Sequence, residues 1–130
     1  MNGAREFRLG VEARDLERMM AAFAQNARLF SPAYLKPFEG KEAIEMLLSV
    51  LLGTFEDFTY TDELAAGDGS TALIFTAKVG DLELQGLDLL RLSDEGLICE
   101  FTVMIRPFKA LQALMEKVAQ GMTATLQAAE

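Results

Sequence analysis

The chain has 130 residues, 51% of them hydrophobic and 25% charged, with one cysteine, no histidine and a formal charge of −8. One domain of this length buries roughly two thirds of the surface its unfolded chain exposes and needs no disulfides to do so. The acidic balance, with no local Lys/Arg cluster to offset it, excludes phosphate backbones and anionic lipid as partners, and the missing histidine removes the commonest general base and the favoured zinc ligand.

Taken in order, Ala4 to Ala13 is predicted helical, with Phe7 and Val11 four apart on one face. Asp15 is placed to cap a second helix, in which Leu16, Met19, Met20 and Phe23 form an apolar stripe. Asn26 through Gly40 contains Pro32 and Pro37, which favour short extended pieces and turns. Its polar groups include Ser31 and Tyr34, and Tyr34 is a candidate pocket residue because loops carry functional side chains more often than scaffold strands do.

Lys41 to Leu52 reads as a helix, with Ile44, Leu47, Leu48, Leu51 and Leu52 at helical spacing and Gly53 placed to end it. Phe55 to Leu64 alternates as a strand and contains Tyr60, with Glu56, Asp57, Asp62 and Glu63 facing solvent. After Pro107, Phe108, Leu111, Met115, Val118, Met122 and Leu126 recur every three or four residues as an amphipathic helix, which closes the open end of the sheet or packs on a second subunit.

Between these lie the strands that organise the rest. Gly80 and Asp81 form a two-residue turn that sets Val79 opposite Leu82, Lys78 opposite Glu83 and Leu73 opposite Asp88. Ser93 through Gly96 forms a loop that sets Leu92 opposite Leu97 and Asp88 opposite Phe101. Because side chains alternate, one face then holds Leu73, Phe75, Ala77, Leu84, Gly86, Asp88, Leu90, Phe101, Val103 and Ile105. Asp88 is the one ionisable group in that set. A carboxylate there must find donors, reach water, or keep its proton with a raised pKa.

Arg91 and Arg106 fall on the opposite face, where Arg91 can pair diagonally with Glu100 and Arg106 can anchor the last helix or a dimer seam. Cys99 reads as a small core residue on an apolar strand face, which fits a reducing compartment. The start MNGAREFRLG lacks an apolar signal core, and no apolar run is long enough to span a bilayer, so the expectation is a cytoplasmic protein without membrane or nucleic-acid partners. With no Walker loop, dinucleotide fingerprint, HExxH, EF-hand or CxxC, no cofactor and no metal are expected.

The expected architecture is one α+β domain over residues 1–130, with helices on one face of a curved antiparallel sheet of four strands that forms a cone, and a C-terminal amphipathic helix. The runs RDLERMMAAFAQNARLFSP, FEGKEAIEMLL and GLDLLRLSDEGLICEFTVMIRP resemble the nuclear-transport-factor-two-like superfamily, the cystatin-like fold group that includes SnoaL-like polyketide cyclases and ketosteroid isomerases. The resemblance runs over roughly residues 7 to 108 and is most specific at Gly40 to Ile44 and at the Asp88 hairpin.

It implies an apolar pocket with Asp88 projecting inside, and a homodimer joined through the outer sheet face. In the isomerases the aspartate at this position stays protonated and donates to a developing oxyanion, a case that serves as a standard example of a raised carboxyl pKa. Two other positions depart from the isomerase pattern: Ser31 precedes Pro32 where they carry an aspartate base, and Phe7 stands where they carry a tyrosine. The helper histidine of the cyclases has no counterpart in a chain without histidine. Related epoxide hydrolases use an Asp, Arg, Asp set, whose arginine neither Arg91 nor Arg106 can supply from the face opposite Asp88.

Two classes of function follow. In the first, an enzyme acts on a small polyketide-, steroid- or terpenoid-like carbonyl compound, with Asp88 as general acid and Tyr34 or Tyr60 assisting, and with Phe7, Phe23, Ser31, Leu73, Phe75, Leu90, Phe101, Val103 and Ile105 around the ligand. In the second, a non-catalytic dimer binds a hydrophobic molecule or serves as an interaction module, with Asp88 as an anchor or a hydrogen-bonded strut.

Overall fold

Two side-chain caps start the chain. In the computed structural model, which describes residues 1–128, Asn2 accepts from the Arg5 N–H at 3.2 Å and opens α1 (Gly3–Glu12). Asp15 accepts from the Arg18 N–H at 3.1 Å and opens α2 (Leu16–Ala21), as its position before the apolar stripe predicts. Each cap satisfies an N–H that the first helical turn leaves without a partner.

Phe23, expected on the stripe of the second helix, instead begins β1 (Phe23–Phe30). Ala27 and Leu29 are fully buried while Arg28 between them is exposed, which is the two-residue period of a strand. β1 pairs antiparallel with the short β2 (Phe38–Glu39) and parallel with β6. The segment from Asn26 to Gly40, expected as short pieces and turns, therefore carries much of a sheet strand, and residues 31–37 form the loop.

Helix α3 (Lys41–Thr54) buries Ile44, Leu47 and Leu48. Gly53 lies inside it and does not end it; the helix stops at Phe55, whose backbone turns extended while its N–H still reaches Leu51 O at 3.0 Å. Next come β3 (Glu56–Ala65), β4 (Thr71–Val79), β5 (Leu82–Leu92), β6 (Ile98–Arg106) and α4 (Phe108–Ala128). The strands form one six-stranded sheet in the order β2-β1-β6-β5-β4-β3, mixed where four antiparallel strands were expected, and the architecture is α+β.

The turn at Gly80, with φ +60°, gives the predicted register: Val79 opposes Leu82, Lys78 opposes Glu83, and Leu73 opposes Asp88. Across the next turn the prediction is two residues out. Asp88 opposes Val103, and it is Leu90 that opposes Phe101. The register shifts at Arg91/Leu92, leaving Cys99 unpaired in a bulge with its thiol 3.3 Å from Arg91 O, so Cys99 is half-buried and not a core residue. A shift of two preserves parity, so the ten residues assigned to the inner face do share it.

The outer face of the sheet has its own order. Arg91 lies directly opposite Glu100, not diagonal to it, at 4.0 Å, and Glu100 also pairs with Arg28 of β1. Lys78, though opposite Glu83, reaches Asp57 at 3.8 Å. Arg106 donates to Gln85 at 3.3 Å.

Helix α4 packs on a different stripe from the one its spacing suggests. Ala110, Leu114 and Val118 are buried, Met115 and Met122 pack at the side, and Phe108 and Leu126 are largely exposed. The helix packs against α3 and against β4, β5 and β6. No helix among the described residues is long and apolar enough to cross a membrane.

Candidate functional site

A cavity of about 80 Å³ lies between the inner face of the sheet and the four helices. Two aromatic groups frame it. Phe7 of α1 meets Phe23 and Phe101 with ring centroids 5.7 and 5.0 Å away. On the other side Phe58 stacks on Phe75 at 4.6 Å and meets Tyr60 edge-on at 4.9 Å. Gly86 opposes Phe75, and a Cβ there would stand 2.1 Å from the Phe75 ring, so the absent side chain is what lets that ring lie across β5.

Asp88 projects into this space from the middle of β5, level with Leu73 on one side and Val103 on the other. Its residue surface is 6% exposed, and burial pushes its pKa well above the usual carboxylate range, with no ion pair or hydrogen bond to counter it. Burial therefore favours the protonated acid, the form that can donate a hydrogen bond.

Tyr60 enters from β3 and is 9% exposed, and its hydroxyl has no hydrogen-bond partner. Burial first and the nearby Asp88 second raise its pKa, so it too stays protonated. An unsatisfied buried hydroxyl costs free energy, on the order of 1–3 kcal/mol. Here one lines the same cavity as a carboxylic acid. Outside, Arg8 lies 5.2 Å over the Tyr60 ring and is itself bonded to Glu63 at 3.2 Å, which holds α1 against β3.

Of the side chains read from sequence as site candidates, Asp88, Tyr60, Phe7, Ser31, Phe75, Phe101, Val103 and Ile105 line the cavity. Phe23, Leu73 and Leu90 are fully buried behind it and support the wall without facing the space. Tyr34 must be corrected. It is 72% exposed in the 31–37 loop, its N–H donating to Ser31 Oγ at 3.3 Å, and it stands outside the lining. The loop turns its backbone back on Ser31 and leaves the ring in solvent, away from this cavity.

Sequence reasoning missed the helical half of the lining. Leu47, Leu48, Leu51 and Leu52 of α3 contribute, as do Phe55 and Phe58 beyond it, and Leu114 and Met115 of α4. An apolar stripe at helical spacing marks these as buried, but the same stripe describes a solid core and a cavity wall alike. Arg14 is a further addition. Its backbone is left-handed, φ +54°, at the bend between α1 and α2, and its guanidinium donates to Leu52 O at 2.7 Å at the cavity rim.

Residues 4–101 match the model of the SnoaL-like domain. The chain belongs to that family. It is similar to the crystal structure of a steroid delta-isomerase from Pseudomonas aeruginosa, with 37% identity, a TM-score of 0.91, and 96% of this chain and 92% of that chain covered. A bacterial protein with a cystatin-like fold from Silicibacter pomeroyi DSS-3 has 29% identity and a TM-score of 0.83 over 96% and 85% of the two chains. An NTF-2 like protein of unknown function from Burkholderia xenovorans LB400 shares the fold at 13% identity, with a TM-score of 0.70 over 82% of each chain. No curated protein matches the chain in sequence. The SnoaL-like family thus has the cystatin-like α+β fold with structural relatives among the steroid isomerases, as the hairpin and the Gly40 to Ile44 run imply.

Proposed function

We propose that the chain binds a small apolar carbonyl compound in this cavity, with its oxygen accepting hydrogen bonds from the neutral Asp88 carboxyl and the Tyr60 hydroxyl. The observation that carries the reading is the Asp88 carboxyl, buried with no partner in a space walled by hydrocarbon. Two uncharged donors and an apolar wall favour a ligand that offers an acceptor at one end and hydrocarbon elsewhere. Charge developing on such an oxygen would be stabilised by the same two donors.

Likeness to a steroid delta-isomerase at 37% identity favours a second reading, in which the donors assist proton transfer next to the carbonyl. That chemistry also needs a base for the carbon-bound proton. Among the described residues the lining holds no second carboxylate, and Ser31 is a weak acceptor without an adjacent base.

Titration calorimetry with cyclohex-2-en-1-one tests the first reading. Asp88→Leu and Tyr60→Phe are each expected to weaken binding about tenfold, the value of one lost hydrogen bond to a buried acceptor. Unchanged affinity in both would overturn it. Conversion of cyclohex-3-en-1-one to its conjugated isomer, followed by ultraviolet absorbance, tests the second. Turnover that is lost in Asp88→Asn while binding persists supports an isomerase; binding without turnover in the native protein leaves the carbonyl-binding reading.

We further propose that two copies associate through the outer sheet face, where Ile74, Leu87 and Leu89 are half-buried and Leu64 and Met104 are more than half exposed. Opposed residues across the strands join these side chains into two adjacent apolar rows, flanked on one side by Arg28, Glu100 and Arg91 and on the other by Gln85 and Arg106. A solution mass of two chains supports the association, and a monomer at micromolar concentration overturns it.

A further inference from the structure

The cavity is small for the ligand class just proposed, and its size locates a residue that decides what enters. An apolar cavity of about 150 Å³ accepts benzene, and pockets for drug-sized molecules run from about 300 Å³ upward. The volume here is about 80 Å³, so a ring compound fits only where part of the wall yields.

The buried half of the wall has nowhere to go. Phe75 and Phe101 are 2% exposed and locked into aromatic contacts on both sides. Met19, although flexible in itself, is 2% exposed and pressed under α1 at Gly10, where a Cβ would stand 2.9 Å from its Cγ. Leu114 is fully buried. Helix α4 as a whole is held in place as well: Ala110 and Val118 are buried on either side of Leu114, and Gly121 sits so close to α3 that a Cβ would stand 2.5 Å from Val50 Cγ1.

Met115 differs from all of these. It lines the cavity from α4, is half-buried, and is unbranched with three rotatable bonds, so it can leave the cavity by changing rotamer while its helix stays docked. We propose that Met115 is a specificity-determining residue, a side-chain gate on α4 that sets the size of the carbonyl compound the cavity admits. The inference rests on the reading of the cavity as a ligand site. Swinging outward, the side chain makes room for a one-ring ketone beside Asp88 and Tyr60. A four-ring skeleton exceeds the space that this side chain vacates.

Dissociation constants for cyclohex-2-en-1-one, a two-ring decalin enone and a four-ring steroid enone, measured on the native chain, Met115→Ala and Met115→Trp, test this. Met115→Ala is expected to tighten cyclohexenone about threefold or more, because no side chain has to leave, while the steroid stays excluded. Met115→Trp is expected to weaken cyclohexenone tenfold or more while circular dichroism shows an intact fold. The same cyclohexenone affinity in all three proteins, still sensitive to Asp88→Leu, overturns the gate and leaves the ligand site standing. Failure of every enone to bind the native chain and Met115→Ala overturns the ligand site, and the gate with it.

Discussion

Two carboxylates in this fold sit in opposite surroundings. Glu6, on the outer side of α1, accepts a hydrogen bond from Arg18 Nε of α2 at 3.1 Å and pairs with its Nη2 at 3.1 Å, and the side chains of the pair are 36% and 41% exposed. Asp88, on the inner face of the sheet, has neither an ion pair nor a hydrogen bond and is almost fully enclosed. The same contrast appears across the sheet itself, where Glu100 on the outer face is shared by Arg28 and Arg91. On the outside, charge is satisfied twice over, by partners and by water. On the inside Asp88 and the Tyr60 hydroxyl are both left without partners, which is the reverse of the pattern outside.

The largest test of the contrast removes the inner group. Asp88→Leu replaces an unpartnered polar side chain with an apolar one beside open space that can absorb its shape, and is expected to stabilise the fold by about 2 kcal/mol at pH 8. The gap should depend on pH. In the unfolded chain Asp88 loses its proton near the ordinary carboxylate range, while the folded chain keeps it, so the folded state binds more protons and native stability falls as pH rises from about 4 toward the raised folded value. The stability contributed by this retained proton is fully present below pH 4 and is lost on the way up. Urea unfolding of both proteins at pH 4 and pH 8 checks it: the advantage of Asp88→Leu should be larger at pH 8, and an equal advantage at both would mean that the native carboxyl ionises freely. The variant that gains stability should also lose affinity for cyclohexenone, the trade expected of a binding group held against the preference of its surroundings.

Asp88 was legible in the sequence because its neighbours are local. A two-residue glycine turn fixes the β4–β5 register, and alternation then carries the face assignment along both strands. The β5–β6 register was less so, because the connecting loop is one residue longer than predicted, with Leu92 opposite Ile98, and the bulge at Cys99 adds a second residue that no turn signal announces. β1 was less legible still. Its parallel partner β6 lies some seventy residues away, so no hairpin turn ties the two, and the short QNAR run interrupts its apolar alternation. For the site, the sheet half followed from parity, while the helical half did not: Leu51, Leu52 and Met115 were readable as apolar, but whether they meet side chains or an opening depends on how far α3 and α4 stand from the sheet. The expectation for Tyr34 failed for a related reason, since Pro32 and Pro37 mark a loop without saying which way its ring points.

The smallest expected effect lies at the other end of the comparison. Glu6→Gln removes the charge that faces Arg18 but leaves both side chains in water, where the attraction is weakened by solvent and offset by the entropy of ordering two long side chains. The cost should be under about 1 kcal/mol and should shrink further in roughly 1 M salt, where the screening length falls to about 3 Å. Urea midpoints for the native chain and Glu6→Gln, at low and high salt, give the measurement. A loss comparable with the change at Asp88, and insensitive to salt, would mean that the α1–α2 pair is a structural clamp and that the outer surface carries as much electrostatic energy as the cavity. A small, salt-dependent loss instead leaves the enclosed carboxyl as the place where one proton matters most to this fold.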